Sequence, residues 1–263
     1  HLYAHQGGLT LQISGLSEKQ PLLLTSLLDE LQSFTYTKAR FNLFKQQLIT
    51  HWKNSDKSKS ISQLFSTLSS FMQPKNPTSE QLVASLEQVS FEQFIAFTHE
   101  IFKQISLSVF MHGNWHQIHA KEVQRIITSA FNNRYSQKHK AKIPTLDIKG
   151  QGNINLPLLL PDHDFANVVY FPLENKDLRT AALTMVTSQL LSPPFFQQMR
   201  TERQFGYLVG VGFVPINRYP GIAFYIQSPK VDALTLSDEI MAFIANSLSI
   251  IKEVSDDDWM HLK

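Results

Sequence analysis

Cysteine is absent from all 263 residues. That absence excludes a disulfide scaffold, thiolate metal sites and a Cys nucleophile together, and it leaves the compartment open, cytosol or periplasm alike. The chain begins at His1 with no Met and no signal-like segment, so targeting is not legible either. No apolar run approaches the roughly 18 residues of a membrane span. The Leu runs at 22–24 and 158–160 are interrupted within a few positions, and the expectation is a soluble protein with no membrane partner. Neither sign of charge dominates: 24 Lys and Arg against 22 Asp and Glu leave +2, too little to single out nucleic acid or an anionic membrane. The local signatures of catalysis are missing too. There is no H-E-x-x-H or H-x-x-E-H, no G-x-S-x-G elbow, no P-loop and no G-x-G-x-x-G. A zinc-peptidase centre of the chain's own is therefore not expected, nor any other metal site.

What is present describes a globular protein: 43% hydrophobic and 17% charged residues, with 19 Phe as bulky core material. Residues 9–14 alternate apolar and polar and read as a half-buried strand. Helical spacing follows over 21–34, opened by Pro21, and over 37–53, 61–72 and 79–86. Ser90 and Gln93 predict a capping box for a helix over 91–104. Residues 106–111 alternate as a strand, and 116–131 is helical again. Between 134 and 153, Arg134, Lys138, Lys140, Lys142 and Lys149 lie among Ser, Gln, Pro and Gly with no apolar period, a solvated linker. A nucleic-acid face would want interleaved aromatics, and only Tyr135 is offered.

Beyond the linker, 153–160 and 166–172 read as strands joined by a turn at Asp162, His163 and Asp164. A helix over 177–191 follows, then Pro193 and Pro194 opening a short helix that ends at Gly206. Strands over 207–215 and 221–228 flank Asn217-Arg218-Tyr219-Pro220 as a hairpin, and a long amphipathic helix covers 231–251. Ser255 and Asp256 to Asp258 read as the start of one more helix, so the chain is expected to be a piece cut at both ends. The fold class expected is α+β, in two domains with helices packed on a mostly antiparallel sheet: 1–135, a linker at 136–152, and 153–263.

Among candidate ligands, His116, His119 and Glu122 follow His112 at i, i+3, i+6, a spacing that drifts about 60° off one helix face. That suits a solvent-facing helix start better than a zinc site. Gly210 and Gly212 form a lone G-x-G inside a strand and suit close backbone approach. The segment that draws chemistry is 195–209. It is a helix expected to stop at Gly206 in the left-handed region and feed directly into a strand. Arg200 in its last turns and Tyr207 just past the stop could approach one locus. A fixed guanidinium can hold a peptide carbonyl or carboxylate, and a phenol can donate to a developing oxyanion. By spacing alone, a helix-ending Arg and a core-edge Tyr are far the commoner reading.

At Arg200, Thr201, Gln204, Gly206, Tyr207 and Val209 the pattern R-T-x-x-Q-x-G-Y-x-V resembles the C-terminal half of the insulinase (pitrilysin) family of zinc peptidases. Three segments agree in order: Lys19-Gln20-Pro21-Leu22-Leu23-Leu24, His112-Gly113-Asn114 and Ile226-Gln227-Ser228. The likeness spans nearly the whole chain. It implies four related α/β domains in two halves closing over a peptide. The zinc ligands and the catalytic Glu would lie in the N-terminal half, which becomes the partner of this one. This chain would then be a third-domain-like unit plus a truncated fourth. The resemblance assigns substrate binding to Arg200 and Tyr207 and oxyanion stabilisation to Tyr207. It implies zinc in the full-length enzyme, none here, peptides as substrates, and no hydrolysis by this chain alone. A non-catalytic scaffold or binding subunit of the same fold is the alternative.

Overall fold

The computed structural model describes residues 1–5, 8–55, 58–103, 105–131, 143–159 and 164–252. The first part of the expected linker (136–142), the turn residues Asp162 and His163, and the helix start at Ser255 lie outside them. Contacts group the chain into two compact units, His1–Trp52 with Glu80–Ile143, and Lys53–Ser79 with Pro144–Lys263. Residues 53–79 were expected with the first domain. They group instead with the second unit, because their helix buries an apolar face on its sheet.

In the first unit β1 (Leu2–His5) pairs antiparallel with β2 (Gly8–Leu11), so the strand expected over 9–14 has a partner that the sequence did not announce. A short 3-10 turn (Ser17–Lys19) leads into α1 (Gln20–Ser33). α1 packs against α6 (Gln117–Phe131), burying Leu28 and Val123 on their facing sides, and Gln32 Nε2 donates to the Ala130 carbonyl at 2.5 Å. α2 (Lys38–Ser55) and α5 (Phe91–Glu100) meet through aromatics, with α4 (Ser79–Gln88) between them in sequence. Phe41 lies 5.7 Å from Phe91 and 5.2 Å from Phe94, and Tyr36 stands edge-on to Phe94. Lys45 Nζ donates to the carbonyls of Glu87 and Val89, closing the end of α4, where a cation suits the helix dipole. The capping box of α5 forms as expected: Gln93 N–H donates to Ser90 Oγ at 3.1 Å and Ser90 N–H to Gln93 Oε1 at 2.8 Å.

Residues 106–111 do not form a strand. They run without regular structure, leaving Val109 and Phe110 exposed. The alternation is present, but no neighbouring strand among the described residues satisfies its backbone, and a strand without a partner is not stable.

The second unit is built on a three-stranded antiparallel sheet in the order β3-β5-β4: β3 (Phe165–Pro172), β5 (Gly221–Ser228), β4 (Leu208–Phe213). The β4–β5 turn has positive φ at both Asn217 (47°) and Arg218 (70°), the two-residue geometry that matches strand twist. Period 2 assigns the faces of β5. Phe224 and Ile226 stand with Val209 and Val211 on one face, over α7 (Leu178–Phe196) and α8 (Ala233–Lys252). There Phe195, Met199, Leu236, Ile240 and Phe243 complete the core. On the opposite face Tyr225 meets Phe65 of α3 (Ser60–Met72), and the Ile61 N–H donates to Gln227 Oε1. Both faces of β5 are thus covered, which is why Ala223, Phe224, Ile226, Gln227 and Ser228 are all buried. By length and composition α8 could cross a membrane, contrary to the reading of the apolar runs, yet Leu236, Ile240 and Phe243 are buried in this core. Residues 153–159, expected as a strand, are irregular and exposed: as at 106–111, no described strand lies alongside them.

Helices packed on antiparallel strands are the α+β class expected.

Candidate functional site

Three strand ends of the second unit converge at one end of its sheet: the residue before β3 (Asp164), the residue before β4 (Tyr207) and the next-to-last residue of β5 (Gln227). How Tyr207 arrives there is dictated by the segment before it. α7 does not break at Pro193 and Pro194 but continues to Phe196. Two missing N–H donors and two pyrrolidine rings disturb the regular ladder, and the next turn, Gln197–Glu202, is π-helical. Arg203 N–H reaches back to the Gln198 carbonyl and Phe205 N–H to that of Met199. This wide turn buries Met199 completely and leaves Arg200 exposed. Arg203 fastens it to Glu239 of α8 at 3.6 Å.

The helix stop differs from expectation in a way that matters to the site. The left-handed residue is Gln204, at φ 55°, and Gly206 does not have a positive φ. Gly206 is required for space instead: a Cβ there would stand 1.8 Å from the Gln227 carbonyl oxygen. The missing side chain lets the turn press against the end of β5 and delivers Tyr207 beside Gln227.

The two residues singled out from the motif meet, but not tip to tip. Arg200 Nη1 donates to the main-chain carbonyl of Tyr207 at 2.5 Å, and its guanidinium lies 5.2 Å from the Phe196 ring centre. The phenol of Tyr207, a residue 44% exposed, is held elsewhere. Its O–H donates to Asp164 Oδ2 at 2.8 Å and accepts from Gln227 Nε2 at 2.8 Å. Gln227 Nε2 also donates to Asp164 Oδ2 at 2.9 Å. The orientation of that amide follows from chemistry. The Ile61 backbone nitrogen can only donate, so the end of Gln227 facing it is the oxygen and the NH2 faces Tyr207 and Asp164. Ser60 Oγ holds the Asp164 main chain at 3.1 Å.

The motif does not single out Asp164 or Gln227. In sequence Asp164 reads as part of a turn and Gln227 as the end of a hairpin, and nothing in their spacing links them to position 207. The three residues of 226–228 act separately. Ile226 fills the core, Gln227 builds the site, and Ser228 Oγ accepts from the N–H groups of Lys230 and Val231. The close backbone approach expected at Gly210 and Gly212 is not found: Gly210 lies under the Tyr225 side-chain ring, and a Cβ at Gly212 would meet nothing within 4 Å.

The histidine group is ordinary helix-start structure. His119 Nδ1 accepts the His116 N–H at 3.0 Å, and its ring meets Trp115 edge-on. Among the described residues no three His, Asp or Glu gather as a metal site.

Comparison with known proteins agrees along the length of the chain. Residues 1–85 match the family model described as the middle or third domain of peptidase M16. Residues 186–263 match that of PQQ synthase PqqF-like proteins, C-terminal lobe domain 4. The chain is similar to insulin-degrading enzyme of Drosophila melanogaster, 25% identical over 263 residues, covering 96% of this chain and 26% of that protein. It is likewise similar to A-factor-processing enzyme of Saccharomyces cerevisiae, 25% identical over 259 residues, with 96% and 25% covered. It therefore spans about a quarter of the length of these curated relatives. The crystal structure of pitrilysin shares the fold at a TM-score of 0.69 with 17% identity, over 94% of this chain and 26% of that one. The resemblance drawn from the motif at 200–209 holds.

Proposed function

We propose, from a chain of insulinase-family metallopeptidase type, that it supplies the substrate-holding side of a zinc-dependent metalloendopeptidase and works with an N-terminal half that carries the zinc. In this reading 1–135 corresponds to the third of four related domains and 153–263 to part of the fourth. Peptides are the substrates, and this chain does not cleave them by itself.

The observation that carries the reading is the presentation of Arg200 and Tyr207 at one turn, tied through the Tyr207 carbonyl. Arg200 uses one of five guanidinium N–H donors there and is exposed, which suits a substrate main-chain carbonyl. Tyr207 carries its hydroxyl on a half-exposed side chain, and in this reading it donates to the oxygen that gains charge as a peptide carbonyl is attacked. Such a donor acts mainly on the transition state, so its loss is felt in kcat more than in KM.

Replacing Tyr207 by Phe in the complete enzyme is expected to lower kcat by about a hundredfold with KM little changed. Steady-state hydrolysis of a quenched-fluorescence peptide measures both. An unchanged kcat removes the catalytic role of Tyr207. If Arg200→Ala and Tyr207→Phe both leave hydrolysis intact, the non-catalytic scaffold is the better description.

A further inference from the structure

We infer that Gln227 and Asp164 are positioning residues for the Tyr207 hydroxyl, Gln227 fixing its oxygen and Asp164 holding its proton until a substrate carbonyl takes it. The inference rests on the reading of Tyr207 given above and deepens it. Tyr207 is 44% exposed and lies just before a strand, and its phenol is anchored by hydrogen bonds with Asp164 and Gln227. Gln227 has no exposed surface. Its amide is locked by the Ile61 N–H on one side, and its two remaining N–H groups go to Tyr207 and Asp164. A buried amide with every polar atom engaged is a rigid fixture. The phenolic oxygen, already accepting from Gln227, becomes a better donor through its own proton. That proton can turn about the Cζ–O bond without moving a heavy atom. Asp164, half-buried and tied by Ser60 through its main chain, accepts the proton in the absence of substrate. A peptide carbonyl arriving beside Tyr207 then competes with one carboxylate oxygen, while Gln227 keeps the phenol in place. No bond to hydrogen is broken in this exchange: one hydrogen bond replaces another.

The test is a mutant cycle in the complete enzyme with a quenched-fluorescence peptide. Gln227→Glu keeps the acceptor for Ile61 and the side-chain size but replaces two N–H donors by at most one O–H, which the phenol must share with Asp164. Asp164→Asn, at a less buried site, weakens the resting acceptor without a change of shape. Gln227→Glu is expected to lower kcat about tenfold and Asp164→Asn about threefold, with KM changed less. Both losses should vanish when Tyr207 is already Phe. Equal losses in the two backgrounds overturn the inference, because the residues would then act on structure and not through the hydroxyl. If Tyr207→Phe alone leaves kcat unchanged, the reading of Tyr207 fails and the inference falls with it. A second readout needs no turnover: the NMR shift of a Tyr207 labelled with carbon-13 at Cζ reports the hydrogen bonding of its oxygen. It should move in both variants, and a shift unmoved in folded protein overturns the positioning role.

Discussion

A methyl group at position 206 would sit 1.8 Å from the carbonyl oxygen of Gln227 and 3.2 Å from the Cα of Ser228, against backbone that cannot swing aside as a flexible side chain could. Gly206→Ala must therefore push the 203–207 turn away from the end of β5. We expect a loss of about 3 kcal/mol in urea unfolding, accompanied by loss of the Tyr207–Gln227 hydrogen bond. A loss under about 0.5 kcal/mol, the range of an ordinary surface change, would mean that the turn has room to spare. This residue also shows how far the site was legible. Arg200, Gly206 and Tyr207 stand within eight positions, and their motif drew attention to all three. The reason Gly206 is needed, close approach and not a left-handed φ, depends on a strand some twenty residues later. Gln204 adopts the left-handed conformation despite its side chain, an outcome that only the packing of the turn decides. Asp164 and Gln227 reach the phenol across the sheet, and no local spacing encodes that meeting.

Helices were read more faithfully than strands because a helix satisfies its backbone within itself. Those read at 61–72 and 79–86 recur nearly in place as α3 and α4, whereas the alternating segments at 106–111 and 153–159 carry the right pattern with no neighbour to pair with among the described residues. The two helices flanking the core share a device at their N-termini. Asp177 accepts from the Thr180 N–H and hydroxyl, and Asp232 from the N–H groups of Leu234 and Thr235 and the Thr235 hydroxyl. The side-chain hydrogen bond from Thr180 or Thr235 leads in holding each carboxyl below its ordinary value of 3.8, with backbone N–H bonds adding to it. A depressed folded value means that the contribution to stability is complete above the unfolded value and disappears as pH falls through the folded one. The Asp177→Ala, Asp232→Ala double variant should thus melt below the parent at neutral pH. The gap should narrow as pH drops below about 3.8, through the window where the unfolded carboxyls protonate first. A gap constant from pH 7 to about pH 2.5 would show that the carboxylate charge at these caps contributes nothing.

At the scale of the whole chain, continuity in sequence and continuity in structure part company at 53–79. This excursion groups with 144–263, and it does so through specific chemistry: Ile61 and Met72 are buried, Phe65 packs edge-on to Tyr225, and Leu146 N–H bonds to the Met72 carbonyl. The same helix provides the Ile61 N–H and the Ser60 hydroxyl that hold Gln227 and Asp164. The α3-facing side of the sheet and the scaffold of the candidate site therefore depend on residues 104 and 166 positions upstream, Ser60 of Asp164 and Ile61 of Gln227. A sequence division at a basic, Pro- and Gly-containing linker has no means of anticipating this. A chain of 144–263 alone would expose that side of β5, including an uncovered Tyr225 and a Gln227 oxygen without its donor. We expect it to melt without a cooperative transition, and a synthetic peptide of 53–79 to bind it and restore one, followed by circular dichroism at 222 nm and by tyrosine fluorescence. If 144–263 melts cooperatively on its own and gains nothing from the peptide, α3 is an accessory to the sheet. The positioning of Tyr207 would then have to come from β3, β4 and β5 alone.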